Sequence, residues 1–123
     1  MRLSGTTTGY DKLIKRGNIV ILNLGNNVGK PRPAVIIQAD ILNDEMKLAT
    51  TIVIPLSSEI QNMHVIRYII EPSAKNGLQI ISQAMIEKVM QIEKSKIQKV
   101  IGQITKKQLD EIESRLLAVL GIR

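Results

Sequence analysis

The sequence predicts a small, mainly β member of the α+β class: short strands forming a small barrel or rolled sheet, with one helix packed against it at the C-terminal end. Three observations predict this. Short β-branched apolar runs recur along most of the chain, each ended by Gly, Pro or Asn. Near residue 105 the apolar spacing changes to that of an amphipathic helix. A length of 123 residues suits one domain and leaves no room for two.

The elements follow in order. Residues 1–15 read as a loose leader, with Gly5, the triplet Thr6-Thr7-Thr8 and Gly9, expected to be mobile or to cover one edge of a domain spanning 16–123. A first strand, Ile19 to Leu22, lies between Gly17 and the turn-rich Gly25-Asn26-Asn27. A second, Ala34 to Ile37, follows Pro31-Arg32-Pro33. A polar connection through Asn43-Asp44-Glu45 leads to a third strand over Thr51 to Ile54. Val65 to Ile70 is a fourth, closed by a turn from Glu71 to Gly77 that holds Pro72 and Asn76. Leu78 to Ile92 reads as two strands or one bent strand, and Val100 to Ile104 as the last.

The helix is marked at both ends. Thr105 and Gln108 have capping-box spacing, and Ile104 with Leu109 fits a hydrophobic staple around it. Leu109, Ile112, Leu116, Val119 and Leu120 share one face. Asp110 and Glu111 suit the positive end of the helix dipole, Arg115 the opposite end, and Gly121 a C-terminal stop.

Composition narrows the chemistry. There is no cysteine, which removes disulfides and thiolate zinc sites and is compatible with a reducing cytoplasm. The single histidine, His64, argues against a histidine-based metal centre or a two-histidine nuclease. With only Tyr10 and Tyr68 as aromatics, base stacking cannot dominate any nucleic-acid binding, and the core must be built from Ile, Val, Leu and Met. A net charge of +6, from 17 basic and 11 acidic residues, favours an anionic partner. No apolar run is long enough to span a membrane, and the polar Thr-rich start is no secretion signal, so a cytoplasmic protein is expected.

An ordered set of short motifs then resembles the MazF/PemK toxin family. Arg16-Gly17-Asn18-Ile19-Val20 and Arg32-Pro33-Ala34-Val35-Ile36 are similar to the family's first two strands. Val53-Ile54-Pro55-Leu56-Ser57-Ser58 resembles its strand ending in Pro-x-Ser/Thr-Ser. Glu71-Pro72-Ser73, Asn76-Gly77-Leu78 and Ser82 to Lys88 resemble a PemK-like branch. Glu93-Lys94-Ser95-Lys96-Ile97 and Ile101-Gly102-Gln103-Ile104 are similar to the run into the last helix. The resemblance covers residues 16–122. It implies an SH3-like small barrel of the Kid/MazF/CcdB type and a homodimer. It also implies metal-independent cleavage of single-stranded RNA, usually mRNA, and a MazE/PemI-like antitoxin that blocks the groove. No cofactor or metal is expected.

Such a reaction uses the RNA's own 2′-hydroxyl, giving a 2′,3′-cyclic phosphate and a 5′-hydroxyl. It needs a base, a proton for the 5′ oxygen and positive charge for the phosphorane. Arg32, braced by Pro31 and Pro33, is the first catalytic candidate. A guanidinium stays protonated at neutral pH and grips phosphate with two hydrogen bonds, which favours electrostatic stabilisation over proton transfer. Ser57 stands where the family carries Ser or Thr; its hydroxyl can bond a non-bridging oxygen or relay a proton, or simply satisfy a turn. Glu87 matches an acidic position that Kid-like members use as a base, with a solvent-facing role as the alternative. Lys30, Ser58 and Lys88 are candidate RNA contacts, Lys88 being equally a solvated surface residue. His64 lies before the fourth strand and is expected on the surface. Lysines 94, 96, 99, 106 and 107 make a basic C-terminal third that can steer RNA or an acidic antitoxin tail, or be a solvated face.

The chain departs from the family pattern at several positions. Gly29-Lys30-Pro31 is a short loop before Arg32, Asn18 replaces the usual Asp, Gln79-Ile80-Ile81 replaces Arg-Lys-Pro, and Met90 replaces Arg. An inactive relative that only binds RNA or antitoxin therefore stands as one alternative. A CcdB-like gyrase inhibitor is another, although the chain ends Leu120-Gly121-Ile122-Arg123 without the Trp anchor of such proteins.

Overall fold

The computed structural model describes residues 13–25 and 30–122. Its strands are β1 (Asn18–Leu22), β2 (Arg32–Ile36), β3 (Thr50–Ser57), β4 (Tyr68–Ile70), β5 (Ser82–Ala84), β6 (Met90–Glu93) and β7 (Ile97–Gln103). A single helical turn, α1 (Asp40–Asn43), follows β2, and α2 (Lys106–Val119) ends the fold. Pairing is antiparallel throughout, in the order β4-β5-β3-β2-β1-β7, with β6 on β3.

The uninterrupted apolar runs of β1 to β3 have a direct explanation: both faces of this sheet are covered. Ile19, Val35, Ile37, Ile54 and Leu56 meet β5 and the buried face of α2, including Ile112. Val20, Leu22, Ala34, Ile36 and Val53 face the other way, onto Ile92 of β6, Ile97 of β7 and Ile14. Ile14 is 4% exposed, so packing already includes the last residues of the expected leader. The rest of that leader, residues 1–12, lies outside the described residues.

β3 divides its free edge between two partners. Thr50 to Val53 pair with β6, and Leu56 and Ser57 pair with β5. Pro55 sits at the changeover, where a residue with no N–H interrupts the ladder at little loss. The segment from 78 to 92 is accordingly two strands, joined by a 3-10 turn at Ile86–Lys88.

The expected barrel is an open sheet among the described residues, with β4 and β7 as its two ends. A turn fills the gap. Buried Asn76 stitches residues 71–78, accepting from the N–H groups of Ser73 and Leu78 and donating to the Glu71 carbonyl. The turn then docks on β7, where the Gln103 N–H donates to the Lys75 carbonyl at 2.9 Å. The approach is close enough that a Cβ on Gly102 would lie 2.3 Å from the Lys75 oxygen. Bulges in β1–β7 beside Val20 and Leu22 add the twist that brings these ends together.

Four local expectations are corrected. The sequence predicts plain connection where α1 forms; one turn shows no periodicity, and it is held by buried Asn43, which bonds Gln38 and Thr51. β4 starts at Tyr68 rather than Val65, because Arg115 of α2 takes the carbonyls of His64, Val65 and Arg67. β7 begins at Ile97, three residues earlier than read. Val119 and Leu120 leave the core face of α2 and are 38% and 56% exposed. The capping box at Thr105 and Gln108 forms as read. At the far end, Gly121 adopts a positive φ and its N–H and that of Ile122 bond the carbonyls of Ala118 and Leu117.

Candidate RNA groove

Where β1 ends and β2 begins, a concave groove of about 940 Å³ opens between three walls. Lys30, Pro31, Arg32 and Pro33 form one wall, and Ser57, Ser58 and Glu59 at the end of β3 form the second. The third combines Gly77 to Ile80 with Gln98, Lys99 and Ile101 of β7. Leu22, Leu56 and Met85 add an apolar floor.

Arg32 opens β2 and is exposed, with no carboxylate paired to it among the described residues. Its backbone is fixed by Pro31, Pro33 and the pairing of Arg32 with Leu22. A guanidinium so placed has its donors available to an incoming phosphate. Ser57 is half-buried, and its Oγ accepts the Glu59 N–H at 3.1 Å, leaving its own O–H to donate. Lys30 and Ser58 also line the groove.

Glu87 and Lys88 are not part of it. Glu87 lies in the 3-10 turn after β5, and its carboxylate is taken by Arg67, whose Nε donates at 3.0 and 3.2 Å and whose Nη2 also contacts it. Arg67 is only 6% exposed and also donates to fully buried Gln83. The hydrogen bonds from Arg67 hold the Glu87 carboxyl below the usual carboxylate range, against the opposing effect of burial. Lys88 is exposed beside it.

His64 is exposed and outside the groove, with its carbonyl occupied by Arg115. The basic C-terminal third is also dispersed. Lys94 is buried and donates to the Asn43 carbonyl at 2.8 Å, Lys106 pairs with Asp110, and of that set Lys99 alone lines the groove.

Sequence reasoning missed three participants. In the sequence Lys99 is only one of a run of lysines, whereas its pairing opposite Ile21 places it on the groove side of β7. Gln83 falls within the Ser82 to Lys88 motif, which by itself gives it no role. Its amide exchanges hydrogen bonds with the Gln61 N–H and carbonyl, tethering the loop after Ser58. Glu59 carried no signal beyond its place after the two serines. Several departures from the family pattern fall on this same surface: Gln79, Ile80 and Met90 line the groove, whereas Asn18 and Ile81 do not.

Next to the groove, and sharing Met90 with it, an apolar cleft of about 640 Å³ runs between α1, β6 and α2 and includes Ile37, Leu42, Ile52, Leu116 and Leu120. No helix among the described residues is long and apolar enough to cross a membrane.

Comparison with known proteins agrees with this architecture. The model of the PemK-like, MazF-like toxins of type II toxin–antitoxin systems matches residues 15–120. A protein of Mycolicibacterium smegmatis named as a probable endoribonuclease MazF is 31% identical over 110 residues, covering 89% of this chain and 98% of its own. The Mycobacterium tuberculosis toxin MazF-mt6 superimposes with a TM-score of 0.72 at 18% identity, over 86% of this chain and 98% of that one. A chain of the MazE–MazF complex from Deinococcus radiodurans gives 0.70 at 16% identity, over 92% and 100%. With the matched model spanning nearly the whole chain, and the groove where the first and third strands end, this protein belongs to the PemK-like, MazF-like toxins of type II toxin–antitoxin systems, a family of RNA-cleaving enzymes.

Proposed function

We propose that this toxin cuts single-stranded RNA without a metal ion, by attack of the 2′-hydroxyl on the adjacent phosphate. Arg32 supplies the charge that stabilises the phosphorane, and Ser57 donates a hydrogen bond to a non-bridging oxygen. Lys30 and Ser58 hold the flanking backbone. Glu87 serves as the partner of buried Arg67, and Lys88 stays on the surface. The observation that carries this reading is an exposed arginine, unpaired among the described residues, in one groove with two strand-end hydroxyls.

A MazE/PemI-like antitoxin occupying the groove is the matching partner, and a solved relative is described as a MazE–MazF structure. The apolar cleft beside α2 supports a homodimer, since a second copy would cover Leu42, Ile52 and Leu120. The cytoplasm is the proposed compartment.

Purified protein is expected to cut single-stranded RNA in the presence of EDTA, leaving a cyclic phosphate and a 5′-hydroxyl. Arg32→Ala is expected to lower the rate at least about a hundredfold, the scale of one lost transition-state donor. Unchanged cleavage by the variant would reject the site. Binding without cutting would favour a non-catalytic RNA binder, a reading that the uncharged Gln79, Ile80 and Met90 in the groove specifically support.

A further inference from the structure

Attack by a 2′-hydroxyl requires an acceptor for its proton, and the residue expected to serve is committed elsewhere. Glu87 faces Arg67, outside the groove. Among the described residues the groove holds one carboxylate, Glu59, and no histidine. The segment between β1 and β2 that lies outside the described residues, Asn26-Asn27-Val28-Gly29, contributes neither an acid nor a histidine.

We propose that Glu59 is the general base of this enzyme, a role that rests on the nuclease reading above. Its position follows from the chain. β3 delivers Ser57 to the groove rim, and the hydrogen bond from the Glu59 N–H to Ser57 Oγ folds the next residues into a tight turn. Beyond that turn, the paired bonds between Gln61 and Gln83 fasten the loop to β5. Glu59 is thus exposed on a segment anchored at both ends, and it makes no ion pair among the described residues. The other ionisable groups lining the groove are cations: Lys30 and Arg32 on the β2 side and Lys99 on β7. They can hold a phosphate while the carboxylate meets the hydroxyl beside it.

In the step itself the 2′ proton passes to the Glu59 carboxylate as the 2′ oxygen bonds to phosphorus. The bond from phosphorus to the 5′ oxygen breaks, and its electron pair leaves with that oxygen, which takes a proton from solvent. Glu59 then releases its proton to solvent, so no co-reactant is consumed.

The test is Glu59→Ala, assayed on single-stranded RNA alongside binding of the same RNA carrying a 2′-deoxy nucleotide at the cut site. The expected result is a kcat at least about a hundredfold lower, with the affinity for the deoxy RNA within about twofold and the thermal midpoint unchanged. Added formate is expected to restore part of the rate by acting as the missing base. A kcat within about threefold of wild type would overturn the proposal. So would a rate loss matched by an equal loss of affinity, or one that formate does not relieve. If the wild-type protein leaves RNA intact, the nuclease reading falls and the base falls with it; if the wild type cuts RNA and the variant cuts it at the same rate, the nuclease reading survives and Glu59 alone is rejected.

Discussion

Two arginines on this chain meet opposite fates because of what surrounds each guanidinium. Arg32 faces open groove with its donors free of any carboxylate among the described residues, while Arg67 is buried and spends its donors on Glu87 and Gln83. A buried cation of this kind tolerates loss of its partner poorly. Glu87→Gln is expected to lower stability at neutral pH by about 2 kcal/mol, the size of a hydrogen bond to a charged group, read from denaturant unfolding. The folded protein holds Glu87 below its ordinary value, so its contribution is complete above the unfolded pKa. That contribution fades as pH falls through and below the carboxylate range. The stability gap between wild type and variant should therefore close on acidification; a gap that widens would contradict the pairing. From the sequence, Glu87 matched a motif and Arg67 matched nothing. Only folding brings two residues twenty positions apart into one ion pair.

At the scale of elements, the turn at 71–77 does the work of a missing strand. It closes the gap between β4 and β7 through the Lys75 carbonyl, and the contact has no room for a side chain at Gly102. Gly102→Ala is expected to destabilise the fold by about 2–3 kcal/mol, visible as a lower midpoint in chemical denaturation. Because Gly77 and Ile101 also line the groove, RNA cleavage by this variant should weaken as well. The turn and its glycine were readable as punctuation, and so was the helix start, since Thr105, Gln108, Ile104 and Leu109 act within a few residues of one another. The start of β4 was not readable, because it depends on an arginine reaching back from α2 to three distant carbonyls.

For the whole molecule, the double burial of β1 to β3 leaves two surfaces of different chemistry: a groove that holds three cations, and an apolar cleft beside α2. Leu120 is more than half exposed on that cleft, so changing it should leave the monomer folded. Leu120→Glu is expected to shift the protein from dimer to monomer in sedimentation equilibrium. A wild-type chain that sediments as a monomer at micromolar concentration would reject the dimer and leave the groove unaffected.

Strand runs, turn residues, the capped helix and the family of this protein were all determined by the sequence alone, because each depends on local chemistry or on an ordered set of short motifs. Arg32, Ser57, Lys30 and Ser58 were legible for the same reason, as they sit at strand ends whose motifs carry them into the groove. The tertiary structure alone decided that the sheet stays open, that Glu87 is drawn to Arg67, and that Glu59 and Lys99 share the groove with Arg32. Those outcomes depend on which distant side chains meet, and a solvent-exposed acid or lysine satisfies no periodicity that would mark it in advance.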